Sequence, residues 1–490
     1  MSFPSTVSRR SFIKNTLSAG AASLAIPSFL QEALAEGTKD GSPNIIIFLC
    51  DDIGYADLGC YGGKVFRTPN LDRMAAEGIR FTDFYVPSPV CTPTRAAMLT
   101  GRYPVRMGFS DLLWPHDTHG IPRSETLLPE LLKKRGYSTA LFGKWHLGHH
   151  DPADMPNARG FDEWQGFPYP NDQDATHPLA KKLGKQWPTS IPFMHNGRVT
   201  DAALDVDSIT KRLTEATTDY IRKHKKEPFF IYLAHAMPHS KLGASENFKG
   251  KSKGELFGDA IEELDWSMGE ILAALKECGL DEKTIVLFSN DNGGAIPPEP
   301  GSAKLEQEAW EQFHGNGLGC GSNAPLRGGK VQCFEGGVRV PMIARWPGVI
   351  PAGHTENAPA IIMDFFPTLL ELSGASAPHD RTVDGRSLRL PLSGKGKREV
   401  TDFYFGVEDL LACRSGRWKC VLKGANPRTR GEKPVPMLFD IEKDPGEMDD
   451  LALKHPDIAT KLAAQIIGFE SSCGWPKNRT TPRKKQGGSR

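Results

Sequence analysis

The chain has 490 residues, with 60 basic and 59 acidic side chains and a formal net charge of +1. This length exceeds the roughly 250–300 residues at which a single hydrophobic core stops growing, so two structural units are expected. The charge balance excludes a global attraction for nucleic acid or an anionic membrane, and any affinity for an anion must come from a local site.

The chain opens on an address. Ser8-Arg9-Arg10-Ser11-Phe12-Ile13-Lys14 has the twin-arginine form, residues 21–30 are a mostly apolar run too short to span a bilayer, and Ala33-Leu34-Ala35 fits a small-residue cleavage site. Residues 1–36 are therefore expected to be a twin-arginine signal peptide, with the Tat export machinery as partner and a periplasmic or secreted mature chain. No later apolar run approaches about 18 residues, so no stable membrane insertion is expected.

Residues 44–50 form a nearly continuous apolar run rich in β-branched side chains, the pattern of a strand buried on both faces, and end in Asp51-Asp52-Ile53-Gly54. A helix is expected over 70–78, with Asn70 as N-cap and Gly78 as stop, and another over 125–135 ending at Gly136. A short strand over 138–142 leads into Gly143-Lys144-Trp145-His146-Leu147-Gly148. Residues 210–224 read as a helix, 228–234 as a buried strand and 257–275 as a long amphipathic helix. Residues 284–289 repeat the buried-strand pattern and end in Asn290-Asp291-Asn292-Gly293-Gly294. This alternation predicts an α/β layered domain. Ligands of open α/β sheets bind beyond the carboxyl ends of strands, so two buried strands that each end in carboxylates point to one shared polar site.

Gly, Pro and charged residues interrupt the periodic segments near 375–380 and again at 393–397. Beyond them, 401–405, 411–415, 418–422 and 436–441 read as short strands and 456–469 as a closing helix, a small α+β unit with an antiparallel sheet. The expected division is an α/β unit over 42–390, a C-terminal subdomain over 391–476, and a basic, disordered tail over 477–490. The nine cysteines include no C-x-x-C pair, which argues against a zinc module. Cys413 and Cys420 lie on neighbouring strand-like runs, and a disulfide or two buried thiols both remain open.

Two carboxylate-rich strand ends bring Asp51, Asp52, Asp291 and Asn292, hard oxygen ligands that suit Ca²⁺ or Mg²⁺ better than a thiophilic metal. An Asp after one strand would more simply be turn or cap chemistry; two such clusters favour a metal. Lys144 and His146 are at i and i+2 after a strand, so an extended segment would project both to the same side.

Cys91-Thr92-Pro93-Thr94-Arg95 is followed at once by Ala96-Ala97-Met98-Leu99-Thr100-Gly101-Arg102. With the run from Arg67 to Phe81 before it and Arg102-Tyr103-Pro104-Val105-Arg106-Met107-Gly108 after it, the chain resembles the formylglycine-dependent sulfatases. It looks most like the arylsulfatase A and N-acetylgalactosamine-6-sulfatase branch, through Phe81-Thr82-Asp83-Phe84-Tyr85-Val86-Pro87. The match extends to Asp384-Gly385-Arg386-Ser387-Leu388 and to residues 438–447, and so covers nearly all of the mature chain.

The resemblance implies an alkaline-phosphatase-like, mixed and mostly parallel sheet flanked by helices, with a smaller C-terminal α+β domain. It implies that a formylglycine-generating enzyme oxidises Cys91 to an aldehyde, and that one Ca²⁺ per chain is held by Asp51, Asp52, Asp291, Asn292 and the side chain at Cys91. An unmodified thiolate would give a thiosulfate-like adduct with no easy release, whereas a hydrated aldehyde offers one hydroxyl for attack and a second for elimination. By the same resemblance Arg95 hydrogen-bonds the modified side chain, Lys144 and Lys330 contact sulfate, His146 is the base for elimination, and His239 binds sulfate and protonates the leaving oxygen. Arg327 is left open.

Two positions depart from the family pattern. Pro170 stands where the branch has a Ser pointing into the site, and Lys241 where many relatives have Pro. Together with segment 296–321, whose Trp310 and His314 cap the site or decorate a surface loop, they leave the pocket undefined. The expected activity is that of an arylsulfatase-like sulfuric ester hydrolase acting on an aryl sulfate or a sulfated sugar. A phosphonate monoester or phosphodiester hydrolase on the same fold is the nearest alternative, and a non-catalytic binder of sulfated glycans the next.

Overall fold

The structure, a computed structural model, describes residues 42–184, 186–297, 307, 311, 321–423 and 435–474. The expected signal peptide and basic tail, and Trp310 and His314, lie outside the described residues.

Among the described residues, ten strands form one mixed sheet. Its order is β11 (His354–Glu356), β2 (Ile79–Phe81), β10 (Met342–Arg345), β9 (Thr284–Asn290), β1 (Asn44–Cys50), β8 (Phe229–Ala234), β4 (Ser138–Lys144), β5 (Glu163–Phe167), β6 (Phe193–His195) and β7 (Arg198–Asp201). Neighbours from β9 through β5 run parallel, and β10 and β6 flank them antiparallel. All of β1 is buried. Ile45, Ile47 and Leu49 enter one hydrophobic cluster and Ile46, Phe48 and Cys50 the other, so the strand reads as an unbroken apolar run rather than an alternating one.

Helices cover both faces. On one side α1 (Pro69–Ala76), α4 (Ile209–Lys223) and α5 (Glu255–Glu277) contribute Leu71, Leu213 and Ile261; on the other, α2 (Cys91–Thr100), α3 (Leu128–Lys134) and α6 (Phe365–Ser373) contribute Met98, Leu132 and Phe366. Two helix starts differ from expectation. Proline, with its fixed φ and missing N–H, suits the first helical turn, so α1 begins at Pro69 and Asn70 turns its amide to Asp265 at 2.8 Å instead of capping. Glu125 is drawn out of α3 by Arg102 and Arg381, and the helix starts instead where the Glu130 carboxylate accepts the Leu127 N–H at 2.7 Å. Among the described residues no helix is long and apolar enough to cross a membrane.

A pair formed by β3 (Phe84–Tyr85) and β12 (Ala360–Ile361) leads away from the large sheet. The separate antiparallel sheet is β13 (Phe403–Val407), β14 (Asp409–Ser415), β15 (Trp418–Lys423) and β16 (Val435–Asp440), covered by α7 (Pro456–Ser472). Cys413 and Cys420 face each other across β14 and β15 as buried free thiols. One buried ion cluster ties this sheet to the β3–β12 pair: Lys419 of β15 lies 2.8 Å from Glu335 and 3.1 Å from Glu447, and Tyr85 of β3 donates to Glu335 at 2.6 Å.

Candidate active site

The sheet order places β9, β1, β8 and β4 side by side and parallel, so their carboxyl ends open on one edge. Asp51 and Asp52 follow β1, Asp291 and Asn292 follow β9, His239 lies in the segment after β8, and Lys144 ends β4 with His146 just beyond. Gly143 has φ +113°, and a Cβ there would meet the Ala234 carbonyl oxygen at 1.9 Å, so β4 reaches Lys144 only because the preceding residue is glycine. Cys91 sits at the first turn of α2, where backbone N–H groups point at the site, and Arg95 follows one turn later on the same helix face.

These residues meet. The fully buried Arg95 guanidinium donates to Asp291 Oδ2 at 2.9 Å from Nε and lies 3.3 Å from Asp51 Oδ2; it also reaches the Lys144 carbonyl at 3.3 Å and the Tyr232 hydroxyl at 3.2 Å. Lys144 donates to Asp51, and Lys330 to Asp52 Oδ2 at 2.7 Å. The Cys91 sulfur is 3.3 Å from His146 Nδ1, and His239 Nε2 is 3.8 Å from Asp52 Oδ2. Burial alone would raise the Asp51 carboxyl, yet Lys144, His239, Arg95 and Lys330 hold it well below the usual range. Burial and the neighbouring Asp51 push Asp291 up to about 6. Burial also pushes the Cys91 thiol up to about 11, so an unmodified Cys91 is a thiol, not a thiolate, at neutral pH.

The His146 tautomer is fixed by its surroundings. Nε2 lies 2.8 Å from the Leu113 carbonyl, which can only accept, so Nε2 carries the proton and Nδ1 turns a lone pair toward Cys91. Burial, then the Lys144 charge, holds this imidazole well below its ordinary pKa and therefore neutral.

Asp51 Oδ1, Asp291 Oδ1 and Asn292 Oδ1 are buried and accept no hydrogen bond from the protein. Asp51, Cys91 and Asp291 can offer ligand atoms within 4.8 Å of one another, as can Asp51, Asp52 and His239. Unpaired acceptors of this kind, on two adjacent strand ends, fit a hard divalent cation such as Ca²⁺.

The ten residues expected in the site, Asp51, Asp52, Cys91, Arg95, Lys144, His146, His239, Asp291, Asn292 and Lys330, come together there, with one difference in how they arrive and with Arg327 left outside. Lys144 and His146 both reach the site, but not through an extended segment: His146 has φ +58°, and this left-handed residue turns the ring back toward α2. Arg327 points elsewhere, donating to the Glu447 carbonyl at 2.9 Å and lying over the Phe334 ring. Tyr232 under Arg95 was not singled out, because a tyrosine inside a buried strand carries no sequence signal that separates it from core packing. Nor was Asp172, whose Oδ1 is 3.9 Å from His239 Nδ1.

Comparison with known proteins gives the same direction. Residues 43–375 match the family model Sulfatase, and residues 329–470 match N-sulphoglucosamine sulphohydrolase, C-terminal. The chain is 37% identical to N-acetylgalactosamine-6-sulfatase of Mus musculus over 455 residues, covering 85% of this chain and 83% of that one. It is 34% identical to steryl-sulfatase of Homo sapiens over 516 residues, covering 86% of each. The crystal structure of Ps i-CgsB in complex with k-i-k-neocarrahexaose matches with a TM-score of 0.72 at 30% identity, covering 89% of this chain and 94% of that one.

Proposed function

The chain belongs to the sulfatase family and is a sulfuric ester hydrolase, and from that premise we propose that it cleaves sulfate monoesters with a formylglycine matured from Cys91 and one Ca²⁺. The observation that carries this reading is the neutral His146, whose Nδ1 lone pair lies 3.3 Å from the side chain of residue 91. A thiol pushed up to about 11 makes poor use of that acceptor; a hydrated aldehyde at the same position supplies hydroxyl groups that donate to it.

The protein's own residues then divide the work. Lys144, Lys330 and Arg95 place fixed positive charge where the sulfate oxygens spread outward in the transition state. His146 accepts a proton at Nδ1 while Leu113 holds its other nitrogen. His239 donates Nδ1–H to the Ser240 carbonyl at 2.6 Å, which leaves Nε2 facing the Asp52 side of the site to serve the leaving oxygen. Asp51, Asp52, Asp291, Asn292 and the side chain at Cys91 would hold the cation. Bound there, it supplies Lewis-acid charge for the sulfate; since three carboxylates already face three fixed cations, its charge leaves the site net positive for an anionic ester.

We further infer export through the twin-arginine segment to the periplasm or medium, and a division into a catalytic unit over 42–390 and a subdomain over 391–476. The antiparallel sheet β13 to β16 supports the second unit. The second family model begins at 329, ahead of that boundary, in the segment of Lys330 and Glu335 that joins the two. The test is production with and without a formylglycine-generating enzyme, assayed on 4-nitrophenyl sulfate. Sulfate release that needs the maturing enzyme and is lost in Cys91→Ala is expected; equal release from Cys91→Ala would overturn the reading.

A further inference from the structure

The segment after β5 carries three polar side chains that the reaction chemistry does not use. Asn171 and Gln173 are 2% and 3% exposed. Each donates its amide NH₂ to a backbone carbonyl, Asn171 to Lys241 at 2.8 Å and Gln173 to Leu113 at 3.3 Å. Because a carbonyl only accepts, these contacts fix which end of each amide is oxygen. Both amide oxygens, Asn171 Oδ1 and Gln173 Oε1, are without a hydrogen-bond donor in the protein. Gln173 shares its Leu113 carbonyl with His146, so this strip borders the reacting position.

Between the two amides lies Asp172. Its Oδ2 is held by the Ser240 hydroxyl at 3.1 Å, and its Oδ1, 3.9 Å from His239 Nδ1, is too far for a hydrogen bond to that ring. The neighbouring Asp174 is occupied by Lys241. Beside the strip, Trp114 follows Leu113 and stacks on Trp187, ring centroids 5.4 Å apart and 23° between planes. The strip next to His239 thus holds two buried amide oxygens without donors, has an aromatic pair beside it, and contributes a carboxylate instead of a further cation.

We propose that Asp172 is the specificity-determining residue for the alcohol half of the ester, and that this half is a sugar ring whose hydroxyl beside the sulfate donates to Asp172 Oδ1. Asn171 and Gln173 anchor the strip on either side of Asp172 through their bonds to the Lys241 and Leu113 carbonyls, and the Trp114 face takes the C–H side of the ring. An aryl or steroid alcohol offers no second hydroxyl there and leaves Asp172 Oδ1 unmet. The inference rests on the sulfatase reading and names the substrate class for it.

The experiment measures kcat/KM of the matured protein for galactose and N-acetylgalactosamine sulfated at O3, O4 or O6, each against the counterpart lacking the adjacent hydroxyl. For the best substrate, wild-type protein should prefer the hydroxylated form by about 10–100-fold, as expected for a charged hydrogen bond to a substrate hydroxyl. In Asp172→Ala the preference should fall to within about threefold, with Asp172→Asn between. The ratio is internal to each preparation, so partial misfolding cancels. A merely structural Asp172 would depress both substrates equally and leave the ratio intact, which would overturn the inference, as would no preference in the wild type. Release of sulfate from 4-nitrophenyl sulfate, measured alongside, separates the two failures: if it persists, only the subsite falls, and if no ester is cleaved, the sulfatase reading falls with it.

Discussion

Removing the divalent cation should destabilise the folded protein as well as silence it. Asp51 Oδ1, Asp291 Oδ1 and Asn292 Oδ1 are buried without a donor, and a buried acceptor left unmet costs about 1–3 kcal/mol. A cation that satisfies all three at once recovers several kcal/mol before its own dehydration is subtracted. Mass action gives the measurable part: about 2.7 kcal/mol when the free ion is at 100 times its dissociation constant. Protein stripped with chelator should therefore show a urea midpoint that rises on adding Ca²⁺ and saturates. In Asn292→Ala one of the three oxygens is gone, together with the 2.7 Å bond from Asn292 Nδ2 to Asp52 Oδ1, so the same increment should need at least about tenfold more ion. A midpoint identical in chelator and in saturating Ca²⁺ would refute the argument. So would an Asn292→Ala titration that overlays the wild type, since the cage would then not include this residue.

Three further outcomes follow from other parts of the molecule. Lys419→Met leaves Glu335 and Glu447 buried without their shared cation and should lower unfolding stability by about 3–5 kcal/mol, read from the urea midpoint; a change under 1 kcal/mol would mean the cluster is not the tie between the sheets. Burial pushes Glu447 from 4.5 up to about 7, so the folded state binds more protons than the unfolded one between those values and stability should fall as pH rises through that window, by at most about 3 kcal/mol; Glu447→Gln should flatten this fall in pH-dependent unfolding curves, and an unchanged slope would count against it. His146→Ala removes the acceptor beside residue 91 but not the fixed cations, so a single turnover should release the alcohol in a burst and sulfate slowly, whereas simultaneous slow release of both would remove the elimination role from His146.

The layered fold was legible where burial is two-sided. The apolar runs at β1 and β9 declare strands covered on both faces, and the carboxylates at their ends mark the edge where a ligand sits. The geometry within that edge was less so. Spacing placed Lys144 and His146 on one side of an extended segment, but the left-handed φ of His146 does that work, and no residue type in Gly143-Lys144-Trp145-His146 announces it. Asp172 was invisible because it reaches His239 only through sheet order, which sets β4 between β5 and β8. Arg327 shows the reverse: its Gly-rich surroundings resemble those of Lys330, three residues on, but the ring of Phe334 and the Glu447 carbonyl draw it away. The register of the small sheet likewise sets Cys413 opposite Cys420, a pairing that strand-like runs suggest and only the hairpin fixes.

The most direct measurement of the central claim is the mass of the Cys91 peptide in graded mixtures of matured and unmatured protein, set beside the sulfate each mixture releases from 4-nitrophenyl sulfate. Turnover should rise in proportion to the fraction of Cys91 converted from thiol to aldehyde and extrapolate to zero when none is converted. Full turnover from protein whose Cys91 is entirely thiol would contradict it.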